Sequence, residues 1–114
     1  MAIPLRLDLL WTREGRRRRR LAADVQRRSQ EERHHLHHAG VVELDSIRIR
    51  TALYETIVLR LGDASHPASP AALEQVEGLL AERPPIRDYG LRAQQRNERI
   101  AAVAVALEPR ADAR

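Results

Sequence analysis

Hydrophobic positions recur at helical spacing in four stretches of the chain, and a glycine or proline follows each of them. The stretches are Arg13–His38, Glu43–Leu61, a third that begins at Pro70, and Asp88–Glu108. Proline ends a helix and glycine is a common stop signal, so each stretch is bounded as a helix should be. The pattern predicts a mainly α protein, a small bundle of about four helices with a long basic first helix.

Two of these helices have a recognisable start. Ser69 stands directly before Pro70, and proline fits the first position of a helix because no N–H is needed there. Thr12 precedes the first helix in the same way. We therefore expect the Ser69 and Thr12 side chains to cap their helices.

Three short stretches leave an α+β alternative open. Residues 3–9 alternate between apolar and polar, which favours an extended N-terminal arm that spans residues 1–11. Residues 103–107 are a short apolar run, which is compatible with a strand. If both are strands, they form a small sheet. Residues 47–51 also alternate, and on a helix Ile49 would fall on the wrong face. We expect residues 1–114 to form one domain, with a flexible tail at 109–114.

The composition excludes several classes of protein. The chain of 114 residues has no cysteine, which excludes disulfide frameworks, thiolate zinc sites and cysteine nucleophiles. No run approaches the roughly 20 apolar residues of a membrane-spanning helix. The opening stretch lacks the charge order of a signal peptide. We expect a cytoplasmic protein.

The positive charge is concentrated in the first third of the chain. All 20 basic residues are arginine, which the codon usage of a GC-rich genome could favour. Residues 1–40 hold 10 arginines against five acids, a net charge of +5, whereas residues 41–114 hold 10 arginines against 11 acids. Codon usage does not explain this uneven distribution, so the basic segment is a candidate for function.

The five consecutive arginines 16–20 are the strongest sign of a binding partner. On a helix they point in every direction, so we expect them to project into solvent or to meet negative charge. Nucleic-acid phosphate is the natural partner, because guanidinium groups bind phosphate with two hydrogen bonds. DNA and RNA fit equally, through backbone contacts. The predicted contacts are Arg13, Arg16, Arg17, Arg18, Arg19, Arg20, Arg27 and Arg28.

Other partners fit the same charge. The main alternative is an acidic protein, with this chain as a subunit of a larger complex. An anionic membrane surface beside Trp11 is a further alternative. The apolar stripe of the first helix is thin, which is typical of pairing between chains. We therefore expect a second copy or a partner protein to cover Leu21, Val25 and Leu36.

A histidine-rich segment follows the arginines. Glu31, His34, His35 and His38 have the helical spacing of some metal ligands, but one such segment supplies a weak site. Imidazole groups at the end of a helix are also favoured by its dipole, and a solvated helix end is the interpretation we prefer. We expect no cofactor.

The sequence gives no support for catalysis. It contains no glycine-rich phosphate loop, no nucleophile elbow and no paired carboxylates at a telling spacing. The function we expect is that of a non-enzymatic accessory protein, which binds nucleic-acid backbone within a larger assembly.

Overall fold

The computed structural model of the chain describes residues 12–34, 41–63, 65–83 and 90–108. These residues form four helices, which are α1 (Arg13–His34), α2 (Val41–Gly62), α3 (Pro70–Ala81) and α4 (Leu91–Ala106). The mainly α prediction is confirmed.

The alternative sheet is not found in the part of the chain that the structure describes. Residues 103–106 belong to α4, and Leu107 forms its closing turn by donating its N–H to the Val103 and Ala104 carbonyls. The other candidate strand, residues 3–9, lies outside the described residues, as do the predicted arm at 1–11 and the predicted tail at 109–114.

The helix starts follow the local sequence signals. The Ser69 Oγ accepts a hydrogen bond from the Ala72 N–H at 3.1 Å, and Pro70 is the first residue of α3. The Thr12 Oγ1 accepts the Gly15 N–H at 3.0 Å, directly before α1. Both predicted caps are confirmed.

The observed ends of the helices agree less closely with the predicted ends. In the described residues α1 extends to His34, and its predicted end at His38 lies outside them. The last helix, α4, ends at Ala106, two residues before the predicted Glu108.

The core forms where α2 is packed between α1 and α4, with α3 closing one side. The α1 and α2 helices run antiparallel, because Arg18 contacts Leu61 while Glu32 contacts Arg50. The buried apolar cluster consists of Leu21, Val25, Tyr54, Ile57, Leu61, Ala72, Leu73, Val76, Leu79, Ile100, Val103, Ala104 and Leu107.

Two residues that were predicted to contact a partner belong to this core. Leu21 and Val25 are buried against the protein's own helices. The prediction that another chain must cover them is therefore wrong, because α2 and α3 already remove them from water. The third residue of that set, Leu36, lies outside the described residues.

The C-terminal end of α4 is held by an arginine from α2. The half-buried Arg60 donates from Nη1 to the Ala104 carbonyl, and its Nη2 lies 3.3 Å from the Glu108 Oε1. Carbonyls in the last turn of a helix have no partner within it, and cations are stabilised there by the helix dipole. Arg60 therefore acts as a C-terminal cap from a neighbouring helix.

Candidate nucleic-acid interface

The arginines of α1 occupy three different environments, although they are consecutive or nearly so in sequence. Arg18 is only 3% exposed. Arg17 and Arg28 are half-buried. The exposed members of the predicted set are Arg13, Arg16, Arg19, Arg20 and Arg27.

Arg18 binds the C-terminal end of α2. Its Nε donates to the Leu61 carbonyl at 3.0 Å, and its Nη2 donates to the Arg60 and Asp63 carbonyls at 3.0 and 2.8 Å. Its Nη1 donates to the His66 carbonyl at 2.9 Å. Because four carbonyl oxygens solvate the guanidinium, it can be buried without a carboxylate. The arginine run was expected to project into solvent or to meet negative charge, and this expectation is wrong for Arg18, which is buried among backbone carbonyl groups.

Arg17 and Arg28 join α1 to α3. Arg17 donates to both carboxylate oxygens of Glu77, with Nε–Oε2 and Nη2–Oε1 distances of 3.2 and 2.6 Å. This hydrogen-bonded pair lowers the pKa of Glu77. Arg28 donates from Nη2 to the Leu80 carbonyl at 3.0 Å, in the last turn of α3. Both side chains thus have contacts within the protein.

Four exposed arginines share one face of α1. Arg13, Arg16, Arg20 and Arg27 follow each other at intervals of three, four and seven residues, which places them on one side of a helix. We call these four residues the arginine face. They extend over about 21 Å, at a rise of about 1.5 Å per residue. Arg19 is exposed at the edge of this face.

The arginine face lies opposite the buried side of α1. The buried residues of this helix are Gly15, Arg18, Leu21, Val25, Ser29 and Glu32. Along the arginine face the acid Asp24 accepts a hydrogen bond from Arg27 at 2.7 Å, in an exposed pair three residues apart. Exposed pairs contribute at most about 1 kcal/mol, so a phosphate can compete for Arg27.

A buried ionic cluster connects α1, α2 and α4, and sequence reasoning missed it. The Glu32 carboxylate accepts the Arg50 Nε at 2.6 Å and the Arg96 Nη2 at 2.9 Å. Arg50 also donates to the Asn97 Oδ1 at 3.1 Å, and Arg96 donates to the Tyr54 hydroxyl at 3.2 Å. All five side chains are buried. We call these residues the Glu32 cluster.

The hydrogen bonds of the Glu32 cluster join groups of the protein itself, as expected of a cluster with a structural role. Burial raises the pKa of Tyr54, whereas the nearby Arg96 opposes that rise. The Asn97 Nδ2 donates to the Ser46 carbonyl at 3.2 Å, which continues the cluster onto the backbone of α2. Because the carboxylate and the amide are engaged with groups of the protein itself, the cluster fixes how three helices are packed.

The predicted metal ligands are not assembled into a site by the described residues. Glu31 and His34 are exposed near the end of α1, and His35 and His38 lie outside the described ranges. Within those ranges, no three His, Cys, Asp or Glu side chains come together in a way that could hold a metal ion. Nor does any described helix have the length and apolar character needed to cross a membrane.

Eight arginines are predicted from the sequence to contact nucleic acid, and five of these eight side chains are exposed in the structure. Arg17, Arg18 and Arg28 support the packing of α1 against its neighbours, while the arginine face is directed away from the core. No protein-family model, curated protein or solved structure matches the chain, so a functional assignment depends on these residues alone.

Proposed function

We propose that this protein binds the phosphate backbone of nucleic acid through the arginine face of α1, as a non-enzymatic component of a larger assembly. The observation that supports this proposal is the alignment of four exposed arginines on the side of α1 that faces away from the core. Exposed guanidinium groups can be reached from solvent, and a guanidinium group can bind a phosphate with two hydrogen bonds.

The length of the arginine face is enough to reach several phosphates of a nucleic acid. In a duplex each base pair advances about 3.4 Å along the helix axis while the strands wind around it, so about 21 Å corresponds to the axial rise of roughly six base pairs. A straight row of cations contacts several phosphates and no base edges. Such contacts position a protein on its target without selecting a sequence.

The three more buried arginines have a different role in this proposal. Arg18 is enclosed by carbonyl oxygens, Arg17 is paired with Glu77, and Arg28 binds the end of α3. Their contribution is to hold α1 rigidly against the bundle, so that the arginine face is presented as one surface.

The test compares two triple variants that change the net charge equally. Arg16→Gln/Arg20→Gln/Arg27→Gln removes three members of the arginine face. Arg83→Gln/Arg92→Gln/Arg99→Gln removes three exposed arginines outside α1. Fluorescence anisotropy measures binding to a labelled DNA duplex and to a single-stranded RNA, over a series of salt concentrations.

We expect the logarithm of the wild-type affinity for duplex DNA to fall against the logarithm of salt concentration with a slope of about −3.6, because four contacts contribute about −0.9 each. The slope should become less steep by about 2.7 in the variant that lacks three residues of the arginine face. The slope of the variant with three substitutions outside α1 should stay close to that of the wild type. Equal effects of the two variants would contradict a localised interface. If the wild-type protein binds neither DNA nor RNA at low salt, the proposal is wrong and an acidic protein becomes the better candidate partner.

A further inference from the structure

Arg17 lies at the edge of the arginine face, but a carboxylate of α3 binds it. It follows Arg13 by four residues and precedes Arg20 by three, so the three side chains are neighbours on the surface of α1. Both carboxylate oxygens of Glu77 accept hydrogen bonds from Arg17, at 3.2 Å from Nε and 2.6 Å from Nη2. Its position thus groups Arg17 with the arginines that we propose to bind phosphate, whereas its contacts join α1 to α3.

The Glu77 carboxylate takes the place that a phosphate would occupy on this edge of Arg17. Phosphate and carboxylate groups bind a guanidinium in the same way, with two parallel hydrogen bonds. The Nε and Nη2 donors of Arg17 are both engaged with Glu77. The negative charge of Glu77 also offsets that of the guanidinium, so the pair attracts a polyanion less than Arg17 would alone.

The Arg17–Glu77 pair should resist a polyanion better than the Arg27–Asp24 pair of the arginine face. The Arg17 side chain is 30% exposed, whereas that of Arg27 is 65% exposed. Arg17 and Glu77 join two helices through two hydrogen bonds, whereas Arg27 and Asp24 belong to the same helical turn. Exposed ion pairs are weak in general, but pairs with bidentate geometry can be stronger. Phosphate should therefore displace Asp24 more easily than Glu77.

The surrounding charges keep Glu77 ionised. The hydrogen bonds from Arg17 lower the pKa of Glu77, and the nearby charge of Arg20 lowers it further, against the opposing effect of partial burial. The carboxylate therefore keeps its charge at neutral pH. Glu74, three residues earlier on α3, is exposed and also acts on Arg17 through its charge. These two glutamates are the charged residues of α3, so this helix borders the arginine face with negative charge.

From this arrangement we infer that Glu77 is an internal competitor for nucleic-acid phosphate, which keeps Arg17 out of the interface and sets the border of the arginine face beside α3. The inference rests on the proposed function, because it concerns the edge of the same interface. It implies that nucleic acid contacts the four arginines of the arginine face without Arg17. The affinity for nucleic acid of any sequence is therefore lower than the arginine run alone could provide.

The test measures the salt dependence of binding to a labelled DNA duplex, with the full chain and its variants. Glu77→Gln removes the negative charge and one of the two acceptor oxygens, so Arg17 becomes available to phosphate. We expect its slope to be steeper than that of the wild type by about 0.9, which corresponds to one further contact. The matched control is Glu74→Gln, which changes the net charge equally on the same helix but leaves the Arg17–Glu77 hydrogen bonds in place. Its slope should stay close to that of the wild type.

A double variant tests whether Arg17 is the contact that is gained. Arg17→Gln/Glu77→Gln has the same net charge as the wild type and keeps the arginine face. Because a paired Arg17 contributes no phosphate contact, this variant should bind with the wild-type slope, and the gain of Glu77→Gln should disappear. Circular dichroism of each variant checks that the helices still form.

The outcomes separate this inference from the proposed function. If the wild type binds DNA and the slopes of Glu77→Gln and Glu74→Gln are equal, the inference is wrong and the proposed function stands. A double variant whose slope is less steep than that of the wild type by about 0.9 also overturns the inference, because Arg17 would then contact phosphate in the wild type. If neither the wild type nor Glu77→Gln binds DNA or RNA at low salt, both proposals are wrong.

Discussion

The Arg50 Nε lies 2.6 Å from the Glu32 Oε2, and both side chains are buried between α1 and α2. The other carboxylate oxygen of Glu32 lies 2.9 Å from the Arg96 Nη2 on α4. One carboxylate therefore holds arginines from two other helices. A buried ion pair adds little net stability against an apolar core of the same shape, but it is costly to break once it is present.

We expect Glu32→Gln to lower the free energy of unfolding by about 3–5 kcal/mol, because it removes the negative charge from a site with two buried guanidinium groups. Urea denaturation followed by circular dichroism measures this change. The neighbouring Glu31→Gln is the control, since Glu31 is exposed and its replacement should change stability by no more than about 0.5 kcal/mol. Comparable losses in the two variants would show that the Glu32 cluster does not stabilise the fold.

Arg18→Lys should destabilise the protein by about 2–4 kcal/mol, although it keeps the positive charge. An ammonium group has three donors at one point, and it cannot reach the four carbonyl oxygens that Arg18 binds. The adjacent exposed Arg19→Lys should be nearly neutral. Thermal unfolding distinguishes the two, and equal melting temperatures would contradict the capping role of Arg18.

Stability should fall at high pH through Tyr54. Burial raises the pKa of its hydroxyl in the folded protein, so ionisation favours the unfolded chain. The Tyr54 contribution is therefore fully present below about pH 10, the ordinary tyrosine pKa, and is lost as the pH rises through the higher folded value. Absorbance at 295 nm should show one tyrosine that titrates late. Tyr54→Phe should remove that late step, whereas Tyr89→Phe should leave it in place.

Gly78→Ala should raise the free energy of unfolding by about 0.5–1 kcal/mol. Gly78 lies within α3 on its exposed side, and an added Cβ would meet nothing within 4 Å. The gain comes from the lower backbone entropy of alanine in the unfolded chain. Urea denaturation provides the measurement, and a loss of stability would indicate that this surface of α3 tolerates no added side chain.

The four helices could be predicted from the sequence because their boundaries are marked locally. Ser69 and Pro70 specify the start of α3 through chemistry that needs only neighbouring residues. The burial of Arg18 could not be predicted in this way. The five arginines of the run are chemically identical, and only the position of the α2 C-terminus selects which one is buried.

The sequence contains a pattern that indicates a buried ionic cluster such as the Glu32 cluster. Glu32 stands seven residues after Val25, on the same side of α1 as the apolar stripe. Arg96 lies between Ala93 and Ile100 at core spacing on α4. A charged residue at a core position predicts a partner of opposite charge. Which residues meet depends on how the helices pack, and helical spacing alone does not contain that information.

The C-terminal ends of α2, α3 and α4 are each bound by an arginine side chain from another helix. Arg18 of α1 holds the end of α2, Arg28 of α1 holds the end of α3, and Arg60 of α2 holds the end of α4. Helix ends usually fray independently, so their amide hydrogens exchange with solvent by small local openings. Here the last turn of a helix cannot open without releasing a side chain of its neighbour. The terminal amides of α2, α3 and α4 should therefore exchange with deuterium more slowly than those of a helix end that no neighbouring side chain holds.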